Sequence, residues 1–427
     1  MSQGLNDKAW QVLFDHFAIL AEIDKNGFFE IAAKDIKTIS GREPRLMAKF
    51  DHYSNLPTLF KQHHLSILPL SRSRYVIGQF NAYKEVTYDS KVKPIVKKLP
   101  DHIVSLDPTN LYSESAALHA AYLTGMIDDV IGERSQPTVS GRMSSKAFNF
   151  TIGTHNGNEY EVEVTNAQVE IDAGYETESS FVIVEAKKET VKDFLIRQMY
   201  YPFRLWSEKV NKPVIPIFFT YSNDVFSFFE YRFRDPLSYH SLELVQQKNY
   251  MIAHQSITKE DITNLLHLDI VKEPTIPFPQ ADSFERIVDL LGLLVENELG
   301  KADITTTYNF DERQTNYYTT AAMYLGLVER SKDIEKVVRF RLTKKGEELM
   351  HKPYKQKYLG LAACVIEHEV FQKVLSICLT EGEMPSRDRI VMWMKDAHVY
   401  GVGSESTYAR RASTIIQWVH WVLSLPS

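Results

Sequence analysis

Cysteine is nearly absent. The chain of 427 residues holds only Cys364 and Cys378, both toward the C-terminal end and without CxxC spacing. That argues against a disulfide scaffold and a zinc finger, and it fits a reducing compartment. Long apolar runs are missing as well. No stretch approaches the roughly 20 residues of a membrane span, so no membrane association is expected. The opening MSQGLNDKAWQVLF lacks a basic segment followed by an apolar run, which predicts no secretory leader and a cytoplasmic protein. There is no Gly-rich phosphate loop and no GxSxG elbow; GVGS at 401–404 is too short and wrongly placed to count. A metabolic-enzyme reading therefore has no support. Charge of one sign is lacking too. With 49 Lys and Arg against 55 Asp and Glu, any polyanion binding would rest on local patches.

The chain is long enough for two to four domains, and its most informative stretch is 168–188, QVEIDAGYETESSFVIVEAKK. Two apolar-rich runs, Val169–Ile171 and Phe181–Val184, flank the polar AGYETESS, which predicts a β-hairpin. Side chains alternate with period two, so Glu185 and Lys187 share one face, and Asp172 on the neighbouring strand can project into the same space. Two carboxylates and an amine converging there would make a hard-cation site beside a proton-handling group. Charges at the end of a buried strand are often only the point where it meets water. Here the near-continuous apolar run FVIVE marks a central strand, the Asp arrives at the matching end, and a helical pattern follows at once.

Residues 1–107 read as amphipathic helices (Ala9–Ile23, Ile31–Ile36, Leu56–His63) leading into a strand pair, Ser66–Leu70 and Tyr75–Phe80. That is the outline of a winged helix, a DNA-recognition domain. Arg42, Arg45, Lys49, Arg72 and Arg74 fall in its turn and wing, as contacts to DNA or as ordinary solvated charges. His63 and His64 are adjacent and read as surface residues.

Residues 108–275 begin with a helix from Ser113, with Glu114 in its first turn where a carboxylate complements the dipole. A loop to Asn149 and strands Ala147–Gly153, Glu159–Ile171 and Ser180–Ala186 follow. A long helix, Thr190–Val210, carries Gln198 and Tyr201, and strands Pro213–Thr220 and Val225–Phe233 complete an α/β arrangement around one mixed central sheet.

Residues 276–427 open with the Pro-rich VKEPTIPFPQADS, read as a linker. A second winged-helix pattern follows: helices Ser283–Glu298 and Asp311–Leu325, then a hairpin of Leu327–Arg330 with Val337–Leu342. Arg313, Gln314, Asn316 and Tyr317 start the helix expected to meet base edges. PSRDRIVMWM and SESTYARRASTIIQWVHWVL read as a third helix-turn-helix, with Ser404 or Ser406 as N-cap. Arg410 and Arg411 face DNA on this reading, while Trp418 and Trp421 pack the core; such modules also serve dimerisation.

Asp172, followed after twelve residues by Glu185-Ala186-Lys187 on a hairpin flanked by helices, resembles the PD-(D/E)XK nuclease core. Ile171 stands where the family name has proline. Gln198 followed by Tyr201 is similar to the glutamine–tyrosine motif of exonuclease-type members, with a spacing that differs by one. The resemblance covers roughly 100 to 160 residues. It implies Mg²⁺ held by Asp172, Glu185 and the Ala186 carbonyl, Lys187 orienting or deprotonating the attacking water, and Gln198 near a bound phosphate. Glu170 and Glu114 would be helper carboxylates, Glu114 by family analogy alone.

With helix-turn-helix modules at both ends, the whole looks like a bacterial or archaeal type II restriction endonuclease. The run GREPRLMAKFDH…NLPTLF…LSILPLSRSRYVIG is similar to segments of such enzymes. The resemblance implies cleavage of double-stranded DNA to 5′-phosphate ends, a homodimer at least during cleavage, and a cognate DNA methyltransferase. The alternatives are a modification-dependent or repair endonuclease on the same core, or a DNA-binding regulator whose nuclease-like core is inert.

Overall fold

The computed structural model describes residues 5–89, 91–111, 113–253, 256–307, 312–332 and 338–426. The chain forms two compact units. One comprises Met1–Val92, Gly125–Thr220 and Ser227–Lys248; the other Lys93–Thr124, Tyr221–Phe226 and Asn249–Ser427.

The first unit holds a mixed sheet flanked by helices. Its strands run, side by side, Leu242–Ile252, Val225–Phe233, Val214–Ser222, Phe181–Lys187, Gln168–Glu176 and Gln136–Ser144. Phe181–Lys187 is central, and its first six side chains are buried. A strand covered on both faces requires the unbroken apolar run found there. It pairs antiparallel with Gln168–Glu176, Val184 opposite Ala173, and parallel with Val214–Ser222, Glu185 opposite Phe218. A parallel pair needs a crossover connection, and the helix Arg197–Ser207 supplies it. The core beneath includes Ile171, Ile183, Phe194, Tyr200, Tyr201 and Phe218.

Several element boundaries differ from the sequence reading, each for a local reason. The long strand expected over Glu159–Ile171 is two, because Asn166 takes a left-handed conformation (φ 55°) that turns the chain. Glu159–Val164 pairs with Phe148–Gly153 in a separate ribbon, and only Gln168–Glu176 joins the sheet. The segment read as loop before Asn149 contains the edge strand Gln136–Ser144, which is largely exposed and shifts register twice, between Pro137 and Val139 and between Val139 and Gly141. The helix expected over Thr190–Val210 spans only Arg197–Ser207. Residues Asp193–Leu195 instead pair with Tyr83–Glu85, and the Leu195 and Ile196 N–H groups donate to Asp51 and Ala82 carbonyls rather than to a preceding helical turn.

Around Trp10, which contacts Phe60 edge-on at 4.8 Å, residues 5–78 build a helical layer with a three-stranded sheet. Its order is Phe28–Ala32, Arg74–Gly78, Ser66–Pro69. Ile31 and Ala32, read as helix, belong to the first of these strands. Their backbone partners, Tyr75 and Arg74, are remote in sequence.

The second unit likewise sets helices beside a three-stranded sheet. The helix Phe284–Glu296 precedes the short strand Leu299–Gly300, the helices Lys301–Thr307 and Glu312–Tyr324, and the hairpin Val328–Lys332 with Val338–Leu342. Again the first strand pairs with the last. Asp311 and Val337, expected as element ends, lie outside the described residues. Helices Arg387–Asp396 and Glu405–Ser424 follow, the latter capped by Ser404. Trp418 is buried and its indole donates to the Ala281 carbonyl at 2.7 Å, and Trp421 stacks on Phe284 at 3.9 Å. The Pro-rich segment read as a linker is irregular but packed: Phe278 stacks on Phe371, and its N–H donates to the Tyr400 carbonyl. Three prolines rule out a helix there, yet the apolar residues between them still find a core.

Candidate active site

The hairpin of Gln168–Glu176 and Phe181–Lys187 closes through Thr177, which exchanges backbone and hydroxyl hydrogen bonds with Ser180. At its far end the chemistry-bearing residues meet. The Asp172 carboxylate accepts the Ala186 N–H at 2.7 Å. Lys187 forms an ion pair with Glu185 and donates to the Ala186 carbonyl at 3.1 Å. Gln198, in the first turn of the crossover helix, donates to the same Glu185 oxygen at 2.5 Å. Asp172, Glu185, Ala186, Lys187 and Gln198 are thus brought together.

The site is largely closed to water: the Glu185 and Lys187 side chains are 9% and 13% exposed. Burial pushes the Glu185 carboxyl up to about 8, against the pull of Lys187 and with the added repulsion of Asp172 and Asp51. Burial also raises Asp172, although the Ala186 N–H and Lys187 act to lower it. Both shifts have the same origin, since carboxylates removed from water and set beside one another hold their protons more tightly.

The donor set is all oxygen, which suits a hard cation. Two further oxygens, Oδ1 of Asp51 and Oε1 of Gln198, are buried with no hydrogen-bond partner. Among the described residues no group of three His, Cys, Asp or Glu side chains is arranged to hold a metal. Two carboxylates and a carbonyl would leave the remaining positions to water, as Mg²⁺ prefers. The residues present fit that ion.

Of the other candidates, Glu170 lies on the Asp172 strand but is exposed and paired with Arg142 at 3.1 Å. Its charge still acts on Asp172. Glu114 belongs to the second compact unit, where it opens the helix Glu114–Leu123 behind the cap Ser113. Tyr201, the tyrosine of the glutamine–tyrosine pair, is fully buried, and its hydroxyl donates to the Pro69 carbonyl at 2.9 Å. The helix is buried from Met199 through Leu205, so Tyr201 lies in the core although it is one turn along from Gln198.

Three residues that sequence reasoning passed over lie at the site. His52 Nδ1 is 2.6 Å from the Asp193 carbonyl, Asp193 Oδ1 accepts the Tyr53 N–H at 2.8 Å, and Asp51 adds its charge to that of Glu185. His52 and Asp193 stand 141 residues apart, so no spacing rule could join them. The adjacent acid and base in FDHY were the only hint.

Among the DNA-contact candidates, Arg45 and Arg72 are exposed, and Lys49 is exposed with Asp51 3.5 Å away. Arg74 is engaged by Glu30. Arg42 is partly buried, and its N–H donates to the Ser40 hydroxyl. In the second unit Arg313 lies over the Tyr317 ring and donates to its hydroxyl, and Gln314 and Asn316 are exposed. Arg410 is exposed; Arg411 is half-buried and its proton affinity is lowered by burial and by Arg410. No helix among the described residues is long and apolar enough to cross a membrane.

No curated protein and no solved structure matches the chain. Three family models do, and they follow one another along it. Residues 7–77 match a domain of unknown function (DUF6996), residues 78–251 a second (DUF6997), and residues 286–427 a third (DUF7226). The residues of the candidate site on the hairpin and crossover helix all fall within the 78–251 match, and Asp51 and His52 within the 7–77 match.

Proposed function

We propose that the chain is a Mg²⁺-dependent endonuclease of the type II restriction class, with a PD-(D/E)XK core. The flanking sets of helices, each beside a three-stranded sheet, are winged helices that hold double-stranded DNA. One observation carries this reading: Asp172, Glu185 and Lys187 meet where the pairing of two strands ends, with Gln198 from the crossover helix bonded to Glu185.

Hydrolysis of a phosphodiester requires an oriented water and compensation of the charge that develops on phosphorus-bound oxygens. Asp172, Glu185 and the Ala186 carbonyl would hold Mg²⁺, which when bound supplies positive charge at the phosphate. Lys187, held between Glu185 and the Ala186 carbonyl, is positioned to orient the water and to stabilise the pentacovalent state. Gln198 fixes Glu185 and keeps it from rotating away. Low exposure strengthens each of these interactions, because little water competes for them.

The test is incubation with Mg²⁺ and unmodified phage DNA, followed by sequencing of the fragment ends. Discrete fragments bearing 5′-phosphates at a common sequence are expected. A chain that cuts no DNA, methylated or not, removes the proposal.

A further inference from the structure

The ribbon of Phe148–Gly153 with Glu159–Val164 leaves one of its edges unused. Backbone groups on a strand point alternately to either side, and residues directly opposite in an antiparallel pair point both inward or both outward. Thr151 points outward: its N–H donates to the Leu237 carbonyl at 2.8 Å, and its carbonyl accepts the Tyr239 N–H at 2.9 Å. Glu161 lies opposite Thr151, so its N–H and carbonyl also leave the ribbon, on the far edge. Those of Glu163 do the same two residues on. Thr165, next in the series, shows where that edge leads, since its N–H donates to the Leu70 carbonyl at 2.8 Å. After this one rung the ladder stops. Among the described residues, Glu161 and Glu163 have no backbone partner on this edge.

The edge borders a cleft of about 270 Å³. Apolar side chains of Phe28, Leu70, Val76 and Phe80 line it, the last three buried. Tyr160 lines it too, with its phenol end against Gly27, where φ is 84° and an added Cβ would meet that ring. An unpaired strand edge beside apolar side chains is the setting in which an extended segment can add as a further strand. We propose that this cleft is a strand-addition site for a peptide that alternates apolar and basic residues and pairs with Glu161 and Glu163. The side chains of an added strand fall on the same two faces as those of the strand it joins. On one face Tyr160, Val162 and Val164 pack in the same core as Leu70, Val76 and Phe80, so every second peptide residue meets apolar surface. On the other face Glu161 and Glu163 are exposed, and opposite charge is favoured directly across a strand pair. Glu161 accepts one bond from the Asn149 amide. The cation lining the cleft, Arg74, is engaged by Glu30, so the carboxylates of Glu161 and Glu163 set its charge. The site stands apart from the hairpin residues and does not depend on the nuclease reading.

The experiment uses the full chain and fluorescent hexapeptides of alternating valine and lysine, or of valine and glutamate, with affinity read by anisotropy. The lysine peptide should bind about tenfold tighter, the scale of reversing two cross-strand charge pairs. Replacing both exposed carboxylates, Glu161→Lys with Glu163→Lys, should invert that order. Two further lysine peptides carry N-methyl groups, one on its valines and the other on its lysines. An added strand turns the N–H groups of only one set toward its neighbour, so one of these peptides should bind and the other should not. Bound peptide should also slow amide exchange in the fragment that spans residues 159–165. Equal affinity for the lysine and glutamate peptides, or an order unchanged in the double variant, overturns the proposal. So does binding that survives both methylation patterns or neither, or that leaves exchange at 159–165 unaltered.

Discussion

At the scale of single residues, the unusual quantity is the proton affinity of Glu185. Its folded value is raised to about 8 from an ordinary 4.5. The sign follows directly: the neutral form is favoured in the fold, so this group's contribution to stability is fully present below about 4.5 and is lost as pH rises through about 8. Without metal, the chain should therefore become less stable across that window, and Mg²⁺ should reverse the loss. Because a metal takes the carboxylate rather than the acid, binding near neutral pH should release about one proton. Calorimetric titration in buffers of differing ionisation enthalpy measures it, and Glu185→Gln should abolish the release. Lys187 makes a complementary case. Removing its amine by Lys187→Ala should cost cleavage roughly 10²–10⁴-fold while leaving DNA affinity in Ca²⁺ within a few-fold. Retention of full activity by that variant would sink the role given to the amine.

At the scale of elements, the hairpin was readable because local rules determine it. FVIVEA is short, β-branched and bounded by a turn, which together mark a covered strand, and the alternation that puts Glu185 and Lys187 on one face needs no distant information. What could not be read depends on remote partners. The strand Phe28–Ala32 exists because Arg74–Gly78 lies beside it. The crossover helix starts late because Asp51 and Ala82 claim the N–H groups of Leu195 and Ile196. The segment carrying Asp51 and His52 was invisible for the same reason. Tyr201 gives a check on the helix orientation. Tyr201→Phe removes the bond to Pro69 and should cost about 1 kcal/mol in urea denaturation, with cleavage unchanged. A selective loss of cleavage would return Tyr201 to the site.

At the scale of the whole chain, each unit sets helices beside a small three-stranded sheet, with exposed basic residues at Arg45 and Arg72 in one and at Arg313 in the other. If these residues meet phosphates, each Arg→Ala change should reduce the slope of log affinity against log salt by about one. Filter binding over a salt series reads this directly, and an unchanged slope assigns the residue to the solvent. Double-strand cutting by a homodimer predicts a rate that rises faster than linearly with protein concentration, with nicked circles accumulating at low concentration.

The edge strand Gln136–Ser144 bears on how such copies meet. A regular outer strand offers unused donors and acceptors on which a neighbour's backbone can add. Here Pro137 has no N–H to offer, Gly141 stands at φ 97°, and the register slips twice within a few residues. Such a rim cannot template another strand, so the sheet is terminated where it stands. Copies of the chain crowded together will not grow into ribbons from this side, and a lasting partnership across this rim must be made by side chains.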